Sequence, residues 1–278
     1  MNKGNFMKYA ALFFCILILS AKGLAQQTVV PIVQSNMLLG GAENGRWLAA
    51  DKTAPKLKNK IEFVVIGLSD ANKGKRIFGT KGEGWDVCLE NPIIKLDEPE
   101  TVSEADPDEA KPKIALGANA QWNSLPRLPK AIGLADKNLT KLVADLLKTK
   151  GIAKTKIVIT QAFRVDLEGD GKDEIILSAT YYKKGLMETQ GAGDYSFTLL
   201  RKTVRGKPQN ILLEGDFFTQ RGDYYPPNQH EVTAIADLNG DGRMEIVLHV
   251  FYYEGSLQQI YEVKENKLLK VLEAECGV

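Results

Sequence analysis

Cysteine and histidine are scarce in this chain, with three and two copies respectively among 278 residues. No G-x-S-x-G elbow, no H-E-x-x-H pair and no phosphate-cradling glycine loop occurs. Those absences remove the common signatures of serine hydrolases, zinc proteases and nucleotide-binding enzymes. Charge of one sign is lacking too: the formal net charge is +1. A near-neutral chain gives no electrostatic argument for nucleic acid or an anionic membrane. Long apolar runs are absent after the first residues, so no membrane-spanning helix is expected in the rest of the chain.

The one apolar run, "YAALFFCILILSA", follows Lys3 and Lys8 and leads into "KGLAQQ", with Gly23 and Ala25 in a small-x-small pattern. A basic start, a short apolar segment and such an end make a secretory signal peptide over residues 1–25. Its removal takes away Lys3, Lys8 and Lys22 but no acid, leaving 33 basic residues against 35 acidic ones. A periplasmic or secreted protein follows, with no membrane insertion after cleavage. Cys15 leaves with the leader, so Cys88 and Cys276 remain as an even pair in an oxidising compartment. Two readings stand for that pair: a disulfide linking the two ends of the mature chain, or two unrelated thiols.

Beyond the leader the chain divides by composition. Residues 26–96 are strand-like, with "KIEFVVIGL" (Lys60 to Leu68) as a buried strand. Half of positions 97–110 are Asp or Glu, and three prolines fall within 97–113, which marks that stretch as a solvated linker or loop. Residues 114–155 form a connector with one amphipathic helix near 137–150. In it Leu139, Leu142, Val143, Leu146 and Leu147 make one apolar stripe, Asp136 or Asn138 caps the start, and Gly151 caps the end. From residue 156 to 278 the chain reads as two sets of about four strands, the size of a small antiparallel sheet.

A repeat organises that last region. "DLEGDGKDEIILSATYY" (Asp166 to Tyr182) and "DLNGDGRMEIVLHVFYY" (Asp237 to Tyr253) agree at ten of seventeen places when shifted by 71 positions. The match runs through the acidic loop and on to both tyrosine pairs, so it is a duplicated strand–loop–strand unit rather than a recurring turn.

Numbered from its first aspartate, each loop presents oxygen ligands at alternating positions. Loop one offers Asp166, Glu168 and Asp170, then Gly171, then Glu174; loop two offers Asp237, Asn239 and Asp241, then Gly242, then Glu245. Lys172 and Arg243 contribute backbone carbonyls. Ca²⁺ takes six to eight hard oxygens, and this spacing can supply several of them. The competing reading is a hairpin turn, since Asn, Asp and Gly are turn residues. Position 12 is Leu177 or Leu248, so neither loop is an EF-hand. Loop one carries four carboxylates to loop two's three, which predicts that repulsion leaves loop one the less ordered without metal.

The D-x-[DN]-x-D-G-x-x-[DE] pattern resembles the FG-GAP or VCBS-type repeat of integrin-α-like β-propellers. That resemblance covers residues 156–278 and implies two Ca²⁺ sites with the ligands just named; Glu168 stands where the family usually has Asp or Asn. The expected fold is mainly β, with antiparallel sheets as propeller-like blades, two of them recognisable, and one short helix. The expected role is a calcium-binding structural or binding module for an unknown protein or glycan ligand, without evident catalysis. A second reading is a secreted hydrolase with its site near Trp47, Trp85 and Trp122 and calcium in a structural role. Of the remaining features, the tyrosine pairs should each bury one ring and expose the other, His249 falls inside a strand, and "RGD" from Arg221 reads as a polar turn.

Overall fold

The computed structural model describes residues 28–68, 74–82, 92–97, 113–185, 190–221, 227–252, 255–264 and 266–277. The leader, Trp85, Cys88, most of the acidic segment, Asp223, Tyr224, Tyr225 and Tyr253 lie outside them, so the Cys88–Cys276 pairing and the "RGD" turn are not described.

The described chain is mainly β, and every strand pairing in it is antiparallel. Near the N-terminus six strands close a barrel: β1 (Val30–Gln34), β2 (Met37–Glu43), β4 (Lys60–Ile66), β5 (Arg76–Gly82), β6 (Ile93–Leu96) and β7 (Ile114–Gly117). Their order is β1-β7-β4-β5-β6-β2, and β2 returns to pair with β1. A further strand, β3 (Arg46–Ala49), lies along the second half of β2 and leads into a single helical turn, α1 (Ala50–Thr53). The barrel therefore draws strands from both sides of the acidic segment, and "KIEFVVIGL" is its β4.

Period-two patterning explains the barrel's wall. Val33, Leu38, Ile61, Phe63, Val65, Ile77, Ile94 and Ala115 fill the interior. The intervening residues of β1, β2 and β7, among them Ile32, Leu39, Ile114 and Leu116, face outward into a second core. Those strands are buried on both faces, whereas β5 turns its outer face to solvent and alternates buried with exposed.

What covers the barrel is a four-stranded meander of β13 (Gln229–Ala236), β14 (Glu245–Tyr252), β15 (Gly255–Lys264) and β16 (Lys267–Gly277). Ala234, Ala236, Leu238, Val247, Ile260, Leu272 and Ala274 supply its side of the shared core. Inside the contact, the Gln34 amide donates to the Thr233 hydroxyl at 2.9 Å. The meander's other face packs on a five-stranded sheet, β8 (Lys130–Ala131), β9 (Ile159–Val165), β10 (Glu174–Tyr181), β11 (Tyr195–Val204) and β12 (Lys207–Phe217), through Val165, Leu167, Ile176, Val232, Ile246 and Leu248. Gln161 also ties these sheets together: its amide accepts from the Val232 N–H at 2.7 Å and donates to the Val232 carbonyl at 2.9 Å.

The far face of the five-stranded sheet is closed by α2 (Lys137–Thr149). Leu139, Leu142, Val143 and Leu147 are its buried stripe, with Leu146 partly buried at the margin. Asp136 is the N-cap, its carboxylate accepting from the Asn138 and Leu139 amides, and Gly151 follows the helix at φ +82°. Among the described residues no helix is long and apolar enough to cross a membrane. All eight strands expected after residue 156 are present. Among the described residues, the strands β1, β2 and β4 to β7 form the closed barrel and not additional four-stranded meanders.

The one fully described tyrosine pair departs from expectation. Tyr181 and Tyr182 are both half-buried, because Tyr181 packs against Tyr195 while the Tyr182 hydroxyl reaches across to the Asn228 carbonyl.

Candidate metal centre

The duplication seen in the sequence is repeated in most of the hydrogen bonds within the two loops. Residues β10 and β14 begin and end 71 positions apart, and each is entered from an acidic loop. In loop one the Asp166 carboxylate accepts from the Gly169 amide at 2.7 Å and the Gly171 amide at 2.9 Å. In loop two Asp237 accepts from Gly240 and Gly242 at the same distances. Glu174 accepts from the Leu167 N–H, and Glu245 from the Leu238 N–H, so the first strand residue reaches back under its own loop. Asp170 and Asp241 each accept from the amide two residues on. Gly171 and Gly242 sit at φ +81° and +84°, where a side chain is disfavoured. Leu167 and Leu238, both fully buried, anchor the two loops in the cores on either face of the meander.

The loops lie side by side. The Met244 N–H donates to the Leu167 carbonyl at 2.9 Å, crossing from one loop to the other. A strap over residues 122–127 fastens both. Trp122 donates its indole N–H to the Asp237 carbonyl, the Ser124 carbonyl accepts from the Asp237 amide, and the Arg127 guanidinium donates to the carbonyls of Asp166, Leu167 and Gly242. Leu125, between them, packs into both inter-sheet cores. Sequence reading did not find Arg127, and it gave Trp122 only as one of three tryptophans near a candidate hydrolase site. Trp47 also points to the repeat region, its indole donating to Glu262 on β15 at 3.1 Å. Trp47 and Trp122 are thus both hydrogen-bonded to the C-terminal sheets.

Charge separates the two loops. In loop two Asp237, Asn239 and Glu245 are 2%, 3% and 0% exposed, while Asp241 is exposed. Burial pushes the Glu245 carboxyl well above the usual carboxylate range, and Asp241, Asp237 and Glu262 push it further. Burial likewise raises Asp237. Glu245 Oε2 is satisfied by Leu238, but Oε1 is buried without any partner. In loop one Asp166 and Glu168 are half-buried, Asp170 is exposed, and Glu174 is buried. Burial raises Glu174 too, but the Lys202 ammonium opposes the shift. Glu168 does not converge on its loop-mates and pairs instead with Lys202. The Lys172 side chain, largely in solvent, reaches Asp170 at 2.9 Å and holds that carboxyl below its ordinary value.

Among the described residues no three Asp, Glu, His or Cys side chains stand close enough together to hold a metal ion as they are. Asp237 spends both oxygens on glycine amides, and Asp170 is occupied by Lys172. The donor set of loop two nevertheless fits a hard cation: three carboxylates and the Asn239 amide oxygen, with one carboxylate oxygen buried and unpartnered. An amide N–H uses one of the lone pairs on each Asp237 oxygen, and others remain for an ion.

His230 and His249 stand apart from this centre. Both are buried, and burial lowers each imidazole to about 4. His230 Nδ1 is 3.0 Å from the Ser196 hydroxyl, while His249 packs against Phe251 with both ring nitrogens unpartnered. No family model, curated protein or solved structure matches the chain.

Proposed function

We propose that the protein is an exported calcium-binding module of the FG-GAP/VCBS-like kind, in which loop two (Asp237 to Glu245) holds the ion. The carrying observation is Glu245: a fully buried carboxylate with one oxygen lacking any partner, at the end of a loop that also carries Asp237, Asn239 and Asp241. A buried, uncompensated carboxylate is costly, and a divalent cation coordinated there would relieve the cost. Asp237, Asn239, Asp241 and Glu245 would hold the ion by side-chain oxygens, with the Arg243 carbonyl as a further donor. The ion's contribution is to rigidify: it cross-links the β13–β14 loop to the first residue of β14, next to the strap that ties the barrel connection to both sheets. No catalytic step is assigned. The two meanders are read as blade-like units, and the surface they build is the binding element for a protein or glycan.

The test is thermal melting of the chain lacking residues 1–25, in calcium and in chelator. Calcium should raise the midpoint, and Asp237→Asn should abolish the increase while leaving a folded protein. A midpoint indifferent to calcium, or one that Asp237→Asn leaves calcium-sensitive, rejects loop two as the site.

A further inference from the structure

We infer that the two copies of the loop have diverged into one cation site and one site locked by an internal lysine: Lys202 does for loop one what a metal ion does for loop two. The inference rests on the calcium reading of loop two and adds to it a stoichiometry and a cause.

The strand registers carry the comparison. In the first copy Ile175 on β10 pairs with Arg201 on β11; in the second Ile246 on β14 pairs with Tyr261 on β15. Ile175 and Ile246 are equivalent by the 71-residue repeat. One step toward the loop from each pair brings Lys202 abreast of Glu174, and Glu262 abreast of Glu245. The same place beside the loop-base glutamate is therefore held by an ammonium in one copy and by a carboxylate in the other.

Each side chain behaves as its charge requires. The Lys202 side chain is only 2% exposed and its ammonium pairs with Glu168, itself 20% exposed. It also acts electrostatically on Glu174 and Asp170. A buried ammonium paired with Glu168 and lowering Glu174 and Asp170 electrostatically offsets negative charge in the loop without any added ion, and leaving it unpaired would be far more costly than keeping the pair. This removes the repulsion expected of loop one from its four acids. It also draws Glu168, at ligand position 3, out of the loop and onto β11. In loop two the equivalent residue adds a fourth acid, Glu262, buried and held by Trp47. Arg243 and Arg127 are the cations nearest by chain and contact, yet Arg127 spends its guanidinium on main-chain carbonyls of both loops. Glu245 lies fully buried beside these acids, and its Oε1 stays unpartnered. One loop is closed by its own side chain, and the other requires a cation from solution.

Calorimetric titration of Ca²⁺ into the chain lacking residues 1–25 tests this. The wild type should bind one ion, binding should survive Asp166→Asn, and it should disappear in Asp237→Asn. Two ions, one lost with each variant, would overturn the lysine lock and leave the calcium reading standing. No binding at all would remove both. The second arm is Lys202→Gln, with Lys202→Arg as the charge-preserving control. Without calcium the glutamine variant should melt several degrees below wild type. Calcium should raise its midpoint by several degrees more than it raises the wild type's, and Asp166→Asn added to Lys202→Gln should cancel that extra gain. An unchanged calcium increment in a folded Lys202→Gln protein overturns the inference.

Discussion

Trp122 donates its indole N–H to the main-chain carbonyl of Asp237 at 2.9 Å, and its ring closes the space beside Gly240. An aromatic from the segment after the barrel thus sits on the second acidic loop at both its first and its fourth residue. Such an anchor helps fix the loop's backbone, and preorganisation of this kind would lower the cost of ordering ligands for the proposed ion.

That contact makes the two glycines of loop two unequal. A Cβ on Gly242 would meet nothing within 4 Å, whereas on Gly240 it would come within 2.8 Å of the Trp122 ring. Both residues have φ near +84°, at +83° and +84°. Gly242→Ala should therefore cost about 1 kcal/mol from backbone strain alone. Gly240→Ala should cost roughly 1–3 kcal/mol more from overpacking. Adding Trp122→Ala to Gly240→Ala should remove most of that excess in a double-mutant cycle by urea denaturation. Equal costs for the two glycines would show that the ring does not press on the loop.

Arg127 provides the second measure of the strap. Its guanidinium donates to carbonyls in both loops, and a planar fork with several donors has no lysine equivalent. Arg127→Ala should lose about 2–3 kcal/mol, the scale of charged hydrogen bonds to partly buried acceptors. Arg127→Lys should recover less than half of it. Limited proteolysis would locate the damage, with new cleavage near residues 168–172 and 240–243.

The two histidines give the protein a pH dependence. Each is lowered from 6.5 to about 4 by burial. Below about 6.5 the unfolded chain takes up protons that the folded chain refuses, so stability falls as pH drops from about 6.5 toward 4. Each shift corresponds to as much as about 3 kcal/mol. His249→Gln should make the fall in stability with decreasing pH across that window shallower. A slope unaffected by both His230→Gln and His249→Gln would mean that neither ring is held neutral.

How far the sequence reveals all this depends on the range of the signal. The helix, its Asp136 cap and the eight strands after residue 156 are legible because their causes are local: periodicity, a capping side chain, a glycine at positive φ. The loop pair is legible because duplication preserves spacing. The barrel is not, since its closure depends on β1 pairing with both β2 and β7, which are separated by the acidic segment. Lys202 is hidden for a different reason. The connection from β10 to β11 is longer than that from β14 to β15, so the 71-residue shift that aligns the loops sets Lys202 against Glu273, and only the strand register pairs it with Glu262. Trp122 and Arg127 are equally invisible, lying outside any element whose period could place them.

The most direct test of the central claim is a Ca²⁺ titration of Glu245→Gln beside the wild type, followed by melting of both in chelator. On the proposed reading calcium binding requires the Glu245 carboxylate, while without calcium that group is fully buried with one oxygen unpartnered. The account predicts opposite effects from one substitution. Glu245→Gln should lose calcium binding and, in chelator, should melt above the wild type, by about 1–2 kcal/mol in stability. A variant that still binds calcium as the wild type does would contradict the account.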